Sequence, residues 1–445
     1  MAHSANARRR LDINTSTFNE VPWRVRRYIS IQSKMKPTSL NADLKPWADS
    51  SERCDPQKIR RRRLRGRPLP FLLLSAAAMS FCTLPTLSCL HASSASSRGI
   101  YVPGPGTRPQ LMFACCGQGK DALNALFADP SVFADLKELH AGLAIPIDVL
   151  SPDRAELIHR LNDAGLPAVA VIGLPGDQGY YVNAKNAPQT ERWFAEFEKW
   201  SKQNNLHWDA IALDIEPDFR EFHWPKWRLA WTLLRRAFDA ERVRGSRQAY
   251  AALIHEMQAH GYRVQTVQFI FLADERKVHS TVLERLFGLV DVRGDEEVLM
   301  SYSSFNHKAG GAVVWSYGQD TQALAIGITL GSGDSALDAK YGPLSWEEFS
   351  RDTIVASHFS RQVGIFNLEG CVRQGFLPRL KTMDWNQGVE IPAAATSRMF
   401  RFRVVVQGIL WTASHLFYFA AALLIAPVWL LRRRIRRKRL SMNVQ

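Results

Sequence analysis

The stretch Trp208-Asp209-Ala210-Ile211-Ala212-Leu213-Asp214-Ile215-Glu216-Pro217-Asp218 decides the fold. Side chains alternate faces along a strand, so Ile211, Leu213 and Ile215 share one apolar face while Asp214 and Glu216 share the other. Pro217 ends the strand, because proline cannot continue a ladder of backbone hydrogen bonds. A strand that packs on helices by one face and ends in two inward carboxylates is what a barrel of parallel strands presents at its mouth. Outward from this stretch, short runs rich in Val, Ile and Ala recur at Gln110–Cys116, Ala141–Ile147, Ala168–Leu174, Ala210–Ile215, Val264–Leu272, Glu297–Tyr302, Leu324–Leu330 and Val363–Leu368. Amphipathic stretches separate them: Asp121–Leu139, Asp153–Ala164, Gln189–Gln203, Lys226–Ala259, His279–Phe287, a weak one at Gly310–Gln322, and Ser345–Gln362. Eight such units in roughly 300 residues predict an α/β fold, a (β/α)8 TIM barrel over 99–400. An open doubly wound sheet is the alternative. It would want a glycine-rich phosphate turn after its first strand, and Gly117-Gln118-Gly119-Lys120 lacks that spacing.

Two carboxylates placed so close raise the pKa of one of them, which a general acid working near neutrality requires. The spacing is similar to the Asp-x-x-Asp-x-Asp-x-Glu signature on the fourth barrel strand of the family-eighteen glycoside hydrolases, the chitinase type. Asp209, Asp214 and Glu216 match its first, third and last positions, and Ala212 stands at the second. Met300-Ser301-Tyr302 resembles that family's Met-x-Tyr on the sixth strand, with Ser303 following where the family has Asp or Asn. The resemblance implies substrate-assisted hydrolysis of a polysaccharide containing N-acetylated amino sugars. In it Glu216 protonates the glycosidic oxygen, Asp214 orients the acetamido nitrogen and the Tyr302 hydroxyl holds the acetamido carbonyl. A rival reading is a catalytically silent barrel that binds glycan or a partner protein. Ala212, Ser303 and a last strand without tryptophan (Gly364-Ile365-Phe366-Asn367-Leu368-Glu369-Gly370) favour it.

Glu369 is a candidate second carboxylate facing Glu216 across the mouth, or else the partner of Arg373. Asp148, Asp274, Glu275 and Asp334 also follow strands. Rings stack on the apolar faces of sugars, which makes Tyr181, Trp224, Trp315 and Tyr317, with Tyr180, candidate substrate contacts. Trp227 and Trp231, four apart, are expected to pack one helix face inward. The histidines His223, His255, His260 and His279 show no paired metal-ligand spacing and no Gly-x-Ser-x-Gly turn occurs, so neither metal nor cofactor is expected. Asp214, Glu216 and Glu369 together remain one set that could hold a divalent cation.

The formal charge of +15 would suit nucleic acid, but the cations cluster beside apolar runs, which disfavours that partner and points to a lipid bilayer. Arg60 to Arg67 precede Pro68–Leu90, and Arg432 to Arg439 follow Ile409–Leu431, a run without formal charge. As a helix that run is about 34 Å long, enough to span a bilayer with its basic end in the cytosol. The expected organisation is a basic tail or upstream-translated segment at 1–67, and a signal peptide or uncleaved anchor with linker at 68–97. The barrel at 99–400 faces the extracytoplasmic side, followed by a transmembrane helix at 404–431 and a cytosolic tail at 432–445. An exported barrel can keep a disulfide. Closure would bring Cys115 or Cys116 near Cys371, giving either one bridge across the seam or buried thiols.

Overall fold

The computed structural model describes residues 99–115, 120–329, 340–416 and Arg432. Ten strands occur in them: β1 (Ile100–Val102), β2 (Gln110–Ala114), β3 (Gly142–Ile147), β4 (Ala168–Ile172), β5 (Ala210–Asp214), β6 (Val264–Phe269), β7 (Glu296–Ser301), β8 (Ala323–Gly327), β9 (Gln362–Phe366) and β10 (Val389–Ile391). Strands β2 to β9 form a closed barrel in chain order. All its pairings are parallel, and β2 closes on β9 from Gln110↔Gln362 to Ala114↔Phe366. The eight expected strands are therefore these eight, and the open sheet is excluded. Outside the barrel, β1 pairs antiparallel with β10, Ile100 opposite Ile391, which ties the start of the domain to its end.

The period-two reading of β5 accounts for both its faces. Inward, Ala210 and Ala212 pack with Met112 and Val169, and Ala144, Val171 and Val267 border them. Outward, Ile211, Leu213 and Ile215 are wholly buried and join Phe194 and Phe197 of helix Ala187–Gln203 and Met257 of helix Ala240–Ala259. Each such side chain contributes about 1.5–3 kcal/mol by leaving water. Gly142 allows β3 to close on its neighbours: a Cβ there would lie 2.6 Å from the Met112 side chain and 2.8 Å from the Pro167 carbonyl oxygen.

Caps correct the expected helix boundaries. The stretch 121–139 is two helices, Lys120–Phe127 and Pro130–Glu138, because the Asp129 side chain accepts from Ser131 N and Pro130 begins the second. The stretch 226–259 breaks likewise into Lys226–Ala237 and Ala240–Ala259, where Asp239 caps Arg242 N. β6 ends at Phe269, and helix Phe271–Lys277 takes over where strand was expected to Leu272. The outward side of β6 and β7 is polar there. Arg276 answers it, bonding Asp291 Oδ1 (2.8 Å), Gln268 Oε1 (2.9 Å) and Glu297 Oε2 (3.0 Å).

The seam carries no covalent clamp: Cys371 is a buried thiol rather than half of a bridge. Burial pushes that thiol up to about 12, partly offset by a hydrogen bond with Thr329. Five paired residues already close β2 on β9. Cys116 lies outside the described residues.

Helix Ala393–Ser414 runs unbroken across the division expected between 400 and 404. It packs on helices Phe271–Lys277 and Gly310–Gly318. Of the expected span, 417–431 lie outside the described residues, as do 1–67, 68–97 and 433–445. Among the described residues no helix is long and apolar enough to cross a membrane.

Candidate active site

Two segments build the mouth above β5. The loop after β4 returns to the sheet at Val182, whose N–H donates to Asp214 O (3.0 Å), while Glu216 N–H donates to Val182 O (3.1 Å). The resulting parallel bridge Val182↔Ile215 prolongs the strand geometry two residues past Asp214. Alternation therefore persists, and Glu216 faces the same way as Asp214. Tyr181 precedes the bridge on the neighbouring segment. Its carbonyl accepts from Asn186 Nδ2 (2.8 Å) and Asn183 Nδ2 (3.0 Å), and the buried Tyr250 hydroxyl lies 2.8 Å from Asn186 Oδ1 and 3.1 Å from Asn183 O. Tyr180 meets Tyr181 edge to face at 4.9 Å.

Both carboxylates are partly exposed at the mouth, yet their surroundings are dense. Burial raises Asp214 to about 7, and its Oδ1 has no hydrogen-bond partner among the described residues. Burial, then the charge of Asp214, raises Glu216 well above the usual carboxylate range. Of the two, Glu216 carries the further upward push, that of its neighbour's charge. The Tyr181 phenol is raised by Glu216 first, then by burial, Asp214, Tyr180 and Tyr302. All these groups share one electrostatic neighbourhood.

Tyr302 follows β7, with its ring 5.3 Å from Phe366 and 6.5 Å from Phe305. Sequence reasoning missed Phe366. The signal was present, since Gln362, Gly364 and Phe366 alternate along β9 in step with the inward face. Phe366 occupies the last strand where the expected tryptophan is absent.

Other expected residues fall elsewhere. Asp209 is at the opposite end of β5, where its Oδ2 accepts from Ala168 N (2.7 Å) and locks the strand start. Glu369 stands in the first turn of helix Leu368–Arg373. Its charge raises the Cys371 thiol and is absent from the causes that shift Asp214 and Glu216. Among the described residues no three His, Cys, Asp or Glu side chains group as metal ligands, so the cation set Asp214, Glu216 and Glu369 is not assembled. Trp315 belongs to outer helix Gly310–Gly318 and packs on Phe359 (5.0 Å) and His358 (5.3 Å). Those two precede β9 and so lie at the barrel's closed end, away from the mouth. Tyr317 is wholly buried, donating to Asp274 Oδ2 (2.6 Å) with Arg403 stacked 4.0 Å over its ring. Both are engaged in packing on the outer helix, where contacts at the mouth were expected. Trp224 keeps partial exposure beside the mouth loop, but Arg228 lies 4.0 Å and Lys185 5.4 Å from its ring centre.

The remaining rim acids are committed to structure. Asp148 pairs with Arg154 at 2.8 Å, and Asp274 accepts from Arg403 Nε (2.8 Å) and Gln407 Nε2 (2.8 Å). Glu275 accepts from Leu283 N (2.8 Å) and the Ser280 hydroxyl (3.0 Å), and burial raises it to about 7. Asp334 lies outside the described residues. Burial would also raise Asp218, but the Arg220 hydrogen bond and the Lys185 charge hold it below its ordinary value. Glu221 binds the buried Arg236 at 2.7 Å, fixing the loop that follows the pair.

No protein-family model and no curated protein matches this chain. Solved structures that resemble it include the PgaB (BpsB) glycoside hydrolase domain from Bordetella bronchiseptica. That likeness has 10% identity and a TM-score of 0.40, covering 62% of this chain and 98% of that one. Saccharomyces cerevisiae Gas2p in complex with laminaritetraose and laminaripentaose shares 12% identity at a TM-score of 0.33, covering 67% of each chain. An L-ribulose 3-epimerase shares 12% at 0.33, covering 71% of this chain and 99% of that one. At such TM-scores the likeness speaks to neither activity nor substrate.

Proposed function

We propose that the mouth above β5 is the centre of a glycoside hydrolase acting on N-acetylated amino-sugar polysaccharide, with Glu216 as proton donor. One observation carries this reading: two carboxylates two positions apart face inward together at the end of β5, where burial and the charge of Asp214 push Glu216 towards its protonated form. Glu216 gives that proton to the glycosidic oxygen as the bond from this oxygen to the anomeric carbon breaks. The substrate's own 2-acetamido oxygen closes onto that carbon, so no enzymic nucleophile is required. Asp214, with its unsatisfied Oδ1, accepts the acetamido N–H and offsets the positive charge that develops. The Tyr302 hydroxyl donates to the acetamido oxygen, and Tyr181 borders the same space. Water then attacks the anomeric carbon, reopening the acetamido ring, and its proton returns to Glu216. Ala212 sits in the barrel core, so Asp214 has no third carboxylate beneath it to turn towards.

The sequence further supports placing this centre outside the cytosol, anchored by the uncharged run Ile409–Leu431 with its basic tail inside. Protease protection of the tail in sealed cells tests that placement. For the chemistry, purified protein is assayed on N-acetylglucosamine oligomers beside Glu216→Gln. Turnover by the wild type, reduced about 10²–10⁴-fold in the variant, is expected. Equal rates in both remove Glu216 from its role, and binding without turnover in the wild type leaves the silent glycan-binding barrel. Cleavage of sugars lacking the acetamido group would overturn the substrate-assisted route.

A further inference from the structure

Helix Lys226–Ala237, which leaves the mouth loop through Trp224 and Pro225, is amphipathic in the wrong sense for a barrel helix. At 100° per residue Trp227, Trp231, Leu234 and Phe238 fall within about 60° of one another. That stripe points to solvent, with exposures of 74%, 59%, 53% and 79%. The spacing of four is thus a shared face, as the sequence implied, but the face turns outward rather than into the packing. The inward face, with Leu229 and Leu233 half-buried, has a charged residue as its one buried side chain. Arg236, 8% exposed, binds Glu221 at 2.7 Å and donates to Leu286 O at 3.3 Å, and the Arg285 guanidinium bonds Ala237 O at the helix end. Fixed from within by its charged side, the helix cannot roll to hide its aromatic one.

The flanks of the stripe say what covers it. Lys226, Arg228 and Arg235 are exposed on its borders, and Lys226–Ala237 contains no acidic residue. Indoles and a phenyl ring along one stripe, with cations at its edges, suit the boundary between lipid headgroups and acyl chains. A second set of exposed apolar side chains, among them Phe400, Val404 and Ile409, marks helix Ala393–Ser414. Both helices pack against Val282–Phe287, so the helices that carry the two sets share one neighbour. We propose that helix Lys226–Ala237 lies in the surface of an anionic lipid bilayer, its four apolar side chains in the acyl boundary and Lys226, Arg228 and Arg235 on the headgroups.

The test follows two indoles in the full chain. Protein is reconstituted into vesicles of tail-brominated phosphatidylcholine with about 30% phosphatidylglycerol, and fluorescence quenching is compared with that of Trp227→Phe/Trp231→Phe. Because both positions are exposed, unchanged thermal unfolding of the double variant serves as the folding control. Wild type should show an extra quenched component that the variant lacks, and that component should fall at least about threefold when phosphatidylglycerol is omitted. The readout belongs to these two rings, so neither the fate of 409–431 nor the glycosidase reading affects it. Equal quenched fractions in wild type and variant would overturn the proposal. So would self-association in lipid-free micelles that Trp227→Glu/Trp231→Glu abolishes, which would assign the stripe to a second copy of the chain.

Discussion

The molecule holds two populations of buried acid, and they differ in one respect. On the outer flank Asp274 has Arg403, Glu284 has Arg247, Glu297 has Arg276 and Glu221 has Arg236, while Glu275, without a cation, is held by Leu283 N and the Ser280 hydroxyl. At the mouth Asp214 and Glu216 are as densely surrounded, yet among the described residues neither forms an ion pair, and each faces the other. Buried charge without a counter-charge is expensive, so a fold that only needed stability would fill β5 differently. The paired acids hold elements together. The unpaired pair at the mouth is the one that, on the proposed reading, exchanges a proton.

The sharpest way to break this contrast is substitution on both sides of it. Glu216→Gln should lower turnover about 10²–10⁴-fold with little change in thermal midpoint, since the amide keeps the size of the side chain and adds no charge to a site where burial disfavours it. Asp274→Ala should do the reverse. It removes one of the two carboxylates that hold Arg403, 6% exposed, leaving Asp320 at 2.6 Å, and it unpairs the Tyr317 hydroxyl and Gln407 amide, for a loss of about 1–3 kcal/mol by denaturant titration, with the kcat of whatever remains folded unchanged. Similar losses of turnover in both variants would show the two populations to be alike.

A pH series sharpens the contrast. Asp214 is raised to about 7 in the folded chain against an ordinary carboxylate of about 4. The folded state thus binds the extra proton between those values. Stability from this group is present below about pH 4 and is lost as pH rises through about 7. Asp214→Asn should therefore be more stable than wild type at pH 8. At 1.36 kcal/mol per unit the upper limit is about 4 kcal/mol, and solvent at the mouth lowers the observed gain. Glu275, raised to about 7 by burial with one oxygen unsatisfied, should behave in the same direction as Glu275→Gln. Only the Asp214 substitution should also remove the acidic limb of the rate profile, because the proposed role requires an ionised Asp214 beside a protonated Glu216.

The barrel and the facing of this pair were legible because both follow from local periodicity: Ile211, Leu213 and Ile215 out, Asp214 and Glu216 in. What periodicity cannot supply is direction or distance. Trp227 and Trp231 declare a common face but not which way it turns; that is set by Arg236, which only the folded chain brings to Glu221. Trp315 and Tyr317 follow a strand, as mouth residues do, but the short 3-10 turns after Tyr302 spend the rim and carry both residues down the outer helix. Asp274 looked like a rim acid because its partner Arg403 is 129 positions away. Phe366 was readable by the same alternation that revealed Glu216, and was passed over because the expected ring there was a tryptophan.

The smallest expected effect probes how the scaffold serves the unpaired acids. Tyr250 touches no part of the mouth, being wholly buried beneath the loop that carries Tyr181. Its hydroxyl lies within hydrogen-bond distance of Asn183 O, Asn186 Oδ1 and Thr190 Oγ1, and the two asparagine amides in turn hold the Tyr181 carbonyl. Tyr250→Phe keeps the ring and removes this junction, so about 1 kcal/mol of stability should go. If the junction merely stabilises, kcat and KM stay as they were. If it positions Tyr181, whose phenol senses Glu216 before any other influence, the loosened loop changes the surroundings of Glu216. The alkaline limb of the rate profile should then shift while the acidic limb, set by Asp214, stays in place. A Tyr181→Phe variant gives the reference shift, and Tyr250→Phe should move the same limb by less.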